Sequence, residues 1–280
     1  MMDRRLYKDL VAWALREDIG HGDITTSLCV PGDIKGGAVI VAKEDCIAAG
    51  VFVAREAFLQ CDPDCSFPYV LDEGARVGSG DMVMEVRGAL AALLQAERVA
   101  LNFLQRLSGI ATLTRRFAGR LNGLSCRLVD TRKTAPGLRV LEKYAVRAGG
   151  GLNHRYGLSD GILIKDNHIA ACGSIKEAVK RVKAAAPHTL LVEIEVSDLD
   201  GLSEAIEAGA DAVLLDNMDV KALTEAVAMA RKLKPGLLLE ASGGVCLENV
   251  REVAETGVDI VSVGALTHSA RAVDLSMRVI

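Results

Sequence analysis

The sequence predicts an α/β protein in two parts, an α+β layer followed by an open, incomplete βα barrel. Three observations lead there. Residues 5–18 carry apolar positions at helical spacing (Leu6, Leu10, Val11, Ala14, Leu15). Residues 36–87 break into short strand-like runs separated by turns. After Leu121, short apolar runs alternate with helix-like segments, the mark of parallel strands joined by crossover helices. Six such units are too few for a closed barrel, which has eight strands, so a partial or open barrel suits the length.

In order along the chain, the first helix gives way to Glu17–Thr26, polar and glycine-broken, which reads as a loop held by Asp and Thr side chains. His21 and Asp23 lie there and take that structural reading over a catalytic one. Ala38–Ala42 and Met82–Val86 are strand-like, with Val51–Leu59 a helix between them. Residues 89–121 form a long helical region with an expected break at Ser108-Gly109, where the domain boundary is placed. The barrel strands are expected at Arg127–Asp130, Gly161–Ile164, Leu190–Val196, Ala212–Leu215, Leu237–Ala241 and Asp259–Val263. The helices between them are expected at Leu138–Ala148, Ser174–Ala186, Leu199–Ala208, Val220–Lys232 and Leu247–Glu255.

The totals exclude several classes of function. Half of the 280 residues are hydrophobic, yet no apolar run approaches the roughly 18 residues of a membrane span. The N-terminus lacks a signal-peptide core, so a soluble cytoplasmic protein is expected. A net charge of -4 and 4% aromatic residues argue against a nucleic-acid surface. The seven cysteines are scattered. Cys61 and Cys65 lack the second pair or histidines of a zinc site, so free thiols are expected.

In such barrels ligands bind where strands end and βα loops begin. The first strand ends in Arg132-Lys133, the second in Lys165-Asp166-Asn167-His168, and the third carries Glu193 and Glu195. The fourth ends in Asp216-Asn217, the fifth in Glu240-Ala241-Ser242-Gly243-Gly244, and the sixth in Val263-Gly264-Ala265. Taken singly, each has a bland reading: Arg98 a solvated charge on its helix, Glu193 and Glu195 partners of a lysine, the glycines plain turns. Together they describe one site. The first two strand ends and the Gly149–Arg155 loop bring cations suited to carboxylates or phosphates. Strands three and four bring carboxylates suited to sugar hydroxyls or to phosphate-bound Mg²⁺. Strands five and six bring bare backbone N–H groups that can cradle a phosphate. A phosphorylated sugar meeting a polycarboxylate fits this order.

These blocks, with Glu97-Arg98, Ser108–Thr112, Asp130–Gly137, Gly149–Gly157, Leu163–His168, Glu193–Glu195, Leu214–Asn217, Glu240–Gly244 and Val263–His268, resemble the quinolinate phosphoribosyltransferase family over essentially the whole chain. The resemblance implies an N-terminal α/β sandwich of residues 1–108, rejoined by residues 269–280, and an open α/β barrel of residues 109–268. It implies a homodimer or a larger assembly of dimers, and transfer of phosphoribose from phosphoribosyl pyrophosphate (PRPP) to quinolinate with Mg²⁺. The products are nicotinate mononucleotide, pyrophosphate and CO₂, a step of NAD biosynthesis.

By matching motifs, Thr131, Arg132, Lys133, His154, Arg155 and Lys165 should hold quinolinate, with Arg98 reaching in from a second copy of the chain. Lys133 and Lys165 should also face the pyrophosphate. Glu195 and Asp216 should bind the ribose, directly or around Mg²⁺, and with the two lysines form the catalytic set. Ser242, Gly243, Gly244, Val263, Gly264, Ala265 and His268 should surround the PRPP phosphate. Glu193 and His21 stay unassigned. The alternatives are relatives that use nicotinate or are linked to molybdenum transport, a βα-barrel phosphosugar lyase or isomerase with a Schiff-base lysine, and a non-catalytic anion-binding module.

Overall fold

A computed structural model describes residues 2–280. The chain divides into two compact units. One comprises residues up to Arg115, Thr134–Gly150 and Leu266–Ile280; the other comprises Arg116–Lys133 and Gly151–Ala265. The sequence expectation divides the chain at Ser108, whereas the first compact unit runs on to Arg115 and also takes in Thr134–Gly150 and Leu266–Ile280.

The first unit begins with a 3₁₀ turn (Arg4–Leu6), α1 (Lys8–Ile19) and α2 (Ile24–Cys29). The expected loop over Glu17–Thr26 is therefore shorter than predicted. Asp23 caps α2 by accepting the Thr26 N–H at 2.9 Å, so its side chain starts a helix. Next come β1 (Lys35–Ala42), β2 (Cys46–Ile47), α3 (Val51–Cys61), β3 (Ser66–Val70), β4 (Arg76–Val77) and β5 (Met82–Ala89). An antiparallel sheet has the order β12-β1-β5-β3, where β12 is Leu275–Val279, in register Ala38↔Val279 through Ala42↔Leu275.

Helix α4 runs unbroken from Leu90 to Arg120, through the interruption expected at Ser108-Gly109. Its buried stripe Leu93, Ala96, Ala100, Leu104, Leu107 and Ala111 keeps helical spacing, each leucine contributing roughly 1.5–3 kcal/mol by burial. Gly109 serves close packing. A Cβ there would lie 2.0 Å from the Arg271 carbonyl oxygen.

The second unit is an open sheet of six parallel strands in the order β6-β11-β10-β9-β8-β7. These are β6 (Arg127–Val129), β7 (Ile162–Ile164), β8 (Val192–Val196), β9 (Ala212–Asp216), β10 (Leu238–Ser242) and β11 (Ile260–Ser262). All six expected strands are present. The helices are α5 (Arg139–Ala148, in the first unit), α6 (Asp166–Cys172), α7 (Ile175–Ala185), α8 (Leu199–Glu207), α9 (Val220–Leu233), α10 (Val250–Glu255) and α11 (Ala265–His268). Ser174, Asp198 and Asp219 cap α7, α8 and α9 through their side-chain oxygens.

Strand β8 shows how the sheet points its chemistry. Val192, Ile194 and Val196 are buried, while Glu193 and Glu195 alternate onto the other face. All seven cysteines are free, and burial pushes the Cys46, Cys61, Cys65 and Cys126 thiols up to about 11. Among the described residues, no helix is long and apolar enough to cross a membrane.

Candidate active site

The C-terminal ends of the parallel strands open into a cleft of about 460 Å³, lined entirely by residues of the second unit. The loop after β6 sends Thr131, Arg132 and Lys133 into it, and the loop before β7 sends His154 and Arg155. Leu163 and Lys165 come from β7 and its end, Glu195 from β8, and Leu214, Asp216 and Asn217 from β9 and its end. Strand β10 and its turn give Glu240, Ser242, Gly243 and Gly244, and β11 gives Ser262.

The cationic side is held by buried anchors. Asp130, fully buried, accepts the His154 backbone N–H (2.9 Å) and the Asn153 side-chain N–H (2.6 Å), fixing the loop that carries Arg155. Arg155 donates to the Gly161 carbonyl at 3.0 Å. Burial and the neighbouring Arg132 lower its pKa, outweighing the Glu193 and Asp160 carboxylates that raise it. Lys165 pairs with Glu195 at 2.8 Å. Its backbone N–H donates to His168 Nδ1 at 2.9 Å, so His168 caps α6 and lies outside the cleft lining.

The phosphate-cradle side depends on backbone shape. Gly243 has φ +87°, and a Cβ there would meet Asn217 Oδ1 at 2.2 Å. Asn217 itself is left-handed (φ 54°), and its N–H donates to the Ser242 carbonyl at 2.9 Å. The β9 and β10 ends are thereby locked together.

Beside the cations lies an acidic group that the sequence reading left without a role. His154 Nε2 stands 3.4 Å from Glu193 and 3.4 Å from Glu240. Burial lowers the histidine pKa, but hydrogen bonds to both glutamates and their charges outweigh it and push it up to about 9. Burial, countered only in part by His154, raises Glu193. Glu240 Oε1 and Ser262 Oγ are buried without a hydrogen-bond partner. Glu240 was legible in principle, because strand alternation puts it on the face of Ser242.

Val263, Gly264 and Ala265 are not among the residues lining the cleft; Ser262 occupies the inward position and Val263 is buried. Arg98 and His268 are exposed residues of the first unit.

The sequence matches the family description "Quinolinate phosphoribosyl transferase, C-terminal domain" over residues 110–278 and the N-terminal domain of the same family over residues 23–108. The chain belongs to the quinolinate phosphoribosyltransferase family. It is 46% identical over 279 residues to a Bacillus subtilis protein named as a probable nicotinate-nucleotide pyrophosphorylase (carboxylating), covering 99% of this chain and 95% of that one. A Mycobacterium leprae nicotinate-nucleotide pyrophosphorylase (carboxylating) is 43% identical, with 96% of each chain covered. The solved nicotinate-nucleotide pyrophosphorylase of Francisella tularensis superposes with a TM-score of 0.92 at 39% identity, covering 100% of this chain and 98% of that one.

Proposed function

We propose that the chain is a quinolinate phosphoribosyltransferase that joins quinolinate to PRPP and releases pyrophosphate and CO₂, giving nicotinate mononucleotide for NAD biosynthesis. One observation carries the reading: Arg132, Lys133, Arg155 and Lys165 share a single cleft with Glu195, Asp216 and the Ser242–Gly244 turn. That set matches two substrates that are both anionic, one of which also bears ribose hydroxyls and a phosphate.

The quinolinate carboxylates sit against Arg132, Arg155 and Lys165, with Thr131 and His154 completing the pocket. Arginine forks suit planar carboxylates, and a second carboxylate is what so many cations require. The 5′-phosphate takes the Ser242–Gly244 backbone. Glu195 and Asp216 face the ribose. As the C1–pyrophosphate bond breaks, positive charge grows on the sugar ring, and those carboxylates stabilise it while Lys133 and Lys165 stabilise the departing pyrophosphate. The pyridine nitrogen supplies the electron pair for the new C–N bond. Its resulting positive charge then stabilises the electron pair left on C2 when the 2-carboxylate departs as CO₂, and C2 takes up a proton. No covalent enzyme intermediate is needed.

The donor set fits Mg²⁺ arriving with PRPP, since hard carboxylate oxygens at Asp216 and Glu195 reach the same space. Glu195 is paired with the Lys165 cation, whereas Asp216 accepts the neutral Asn217 side-chain N–H at 2.7 Å. Bound there, Mg²⁺ would neutralise charge on the pyrophosphate. We further assign the working form as a cytoplasmic homodimer or an assembly of dimers, with Arg98 entering the cleft of a second copy. Exposed Trp13, Ile24 and Leu28 support a covered surface on the first unit.

The test supplies quinolinate labelled at the 2-carboxylate, with PRPP and Mg²⁺. Labelled CO₂ should appear only when PRPP is present, and in step with pyrophosphate. Consumption of nicotinate in its place would move the chain to the sister activity. A lysine adduct trapped by borohydride would favour the Schiff-base lyase.

A further inference from the structure

The His154, Glu193 and Glu240 cluster has the composition of a metal site, its three ligand atoms lying within 4.8 Å of one another. Its hydrogen bonds say otherwise. A metal-bound histidine offers a bare lone pair on one ring nitrogen and holds a proton on the other, which it donates to a carboxylate, carbonyl or water. Here the Arg155 backbone N–H donates to His154 Nδ1 at 2.8 Å, so Nδ1 carries the lone pair and the ring proton belongs on Nε2. That proton faces the two glutamates at 3.4 Å each. Both distances exceed the roughly 2.7–2.9 Å of a single charge-assisted bond, and suit one N–H shared between two acceptors.

We propose that Glu193 and Glu240 are positioning residues that act through His154 on Arg155. By sharing the Nε2–H they fix the tautomer and orientation of the ring. Nδ1 then holds the Arg155 backbone, and the guanidinium is delivered to the cleft with its other anchor at Gly161. The two carboxylates push the His154 pKa up to about 9, which alone would put a second proton on the ring at pH 7. But Nδ1 already accepts the Arg155 N–H and cannot also carry one. Burial instead favours a proton on Glu193. Asp130 supports the same loop from the backbone side, so three acidic residues orient one cation. The functional weight of the proposal rests on the quinolinate reading; the tautomer does not.

Two measurements test it. In the free enzyme with labelled histidine, ¹⁵N NMR should show His154 protonated on Nε2 and bare on Nδ1 near pH 7, assigned by loss of its signals in His154→Gln. The reverse tautomer, or a proton on both nitrogens, overturns the proposal whatever the substrate proves to be. In the kinetics, Glu193→Ala should raise the KM for quinolinate about tenfold, the worth of one hydrogen bond involving a charged group, and leave the PRPP KM within about twofold. Glu193→Gln keeps an acceptor for the N–H and should return the quinolinate KM to within about threefold of wild type. Equal rises for both substrates, or a glutamine variant no better than alanine, would also overturn it. Should Glu193→Ala fail to fold, the wild-type spectrum and the glutamine variant still decide.

Discussion

Two clusters of charge in this molecule invite comparison. In the first unit, Glu142 is completely buried and fully occupied. It takes Arg106 at 2.8 Å and the Ala135 N–H at 3.1 Å, while Arg106 also donates to the Thr267 and Ala270 carbonyls. In the cleft of the second unit, cations crowd together, one glutamate has its pKa raised, and Glu240 Oε1 and Ser262 Oγ lack partners. The first cluster closes upon itself and fixes a tertiary contact. The second leaves capacity unspent, which is what a site must do if its partners arrive from solution. Charge density alone does not separate the two; completeness of hydrogen bonding does.

The sharpest way to break the comparison is Lys165→Ala. It should lower kcat/KM about 10³-fold, measured by CO₂ release, while the melting temperature moves by only about two degrees. A large loss of stability instead would make the cleft a structural cluster like the other. Glu142→Leu is the mirror experiment. It strands Arg106 and the Ala135 N–H, and should remove about 3 kcal/mol in urea denaturation, with kcat/KM of the folded protein falling less than about tenfold.

The smallest effect has the opposite sign. Glu193 ionises less readily in the folded chain than in the unfolded one. Above the usual carboxylate range near 4.5, the unfolded state therefore releases the proton first, and wild-type stability falls as pH rises towards the raised folded value. Glu193→Gln escapes that loss. It should be more stable than wild type at pH 8, with the gain shrinking away as pH falls below the usual carboxylate range, as read by paired denaturation curves.

Legibility in the sequence follows the same division. All six parallel strands were readable from apolar runs, because a strand buried on one face announces itself locally. The break expected at Gly109 was wrong, since that glycine answers to the Arg271 carbonyl, more than 160 residues away in sequence. The two-residue strands β2 and β4 carried too few residues to show a period. Among site residues, those at strand ends were visible as departures from apolar pattern. Glu240, in the middle of β10, showed as polar but without a role, and Ser262, at the end of β11, looks like an ordinary core exception until the empty hydrogen-bonding positions are seen.

The edge strand β12 has a consequence for how the protein is made. It pairs with β1, yet leaves the ribosome about 240 residues later, some tens of seconds at the ordinary pace of roughly 5–20 residues per second. Throughout that interval the β12 side of β1 offers unpaired backbone to any passing strand. The nascent chain thus carries an open seam while about 240 residues are added, and the unit begun first is sealed only after the second has been made.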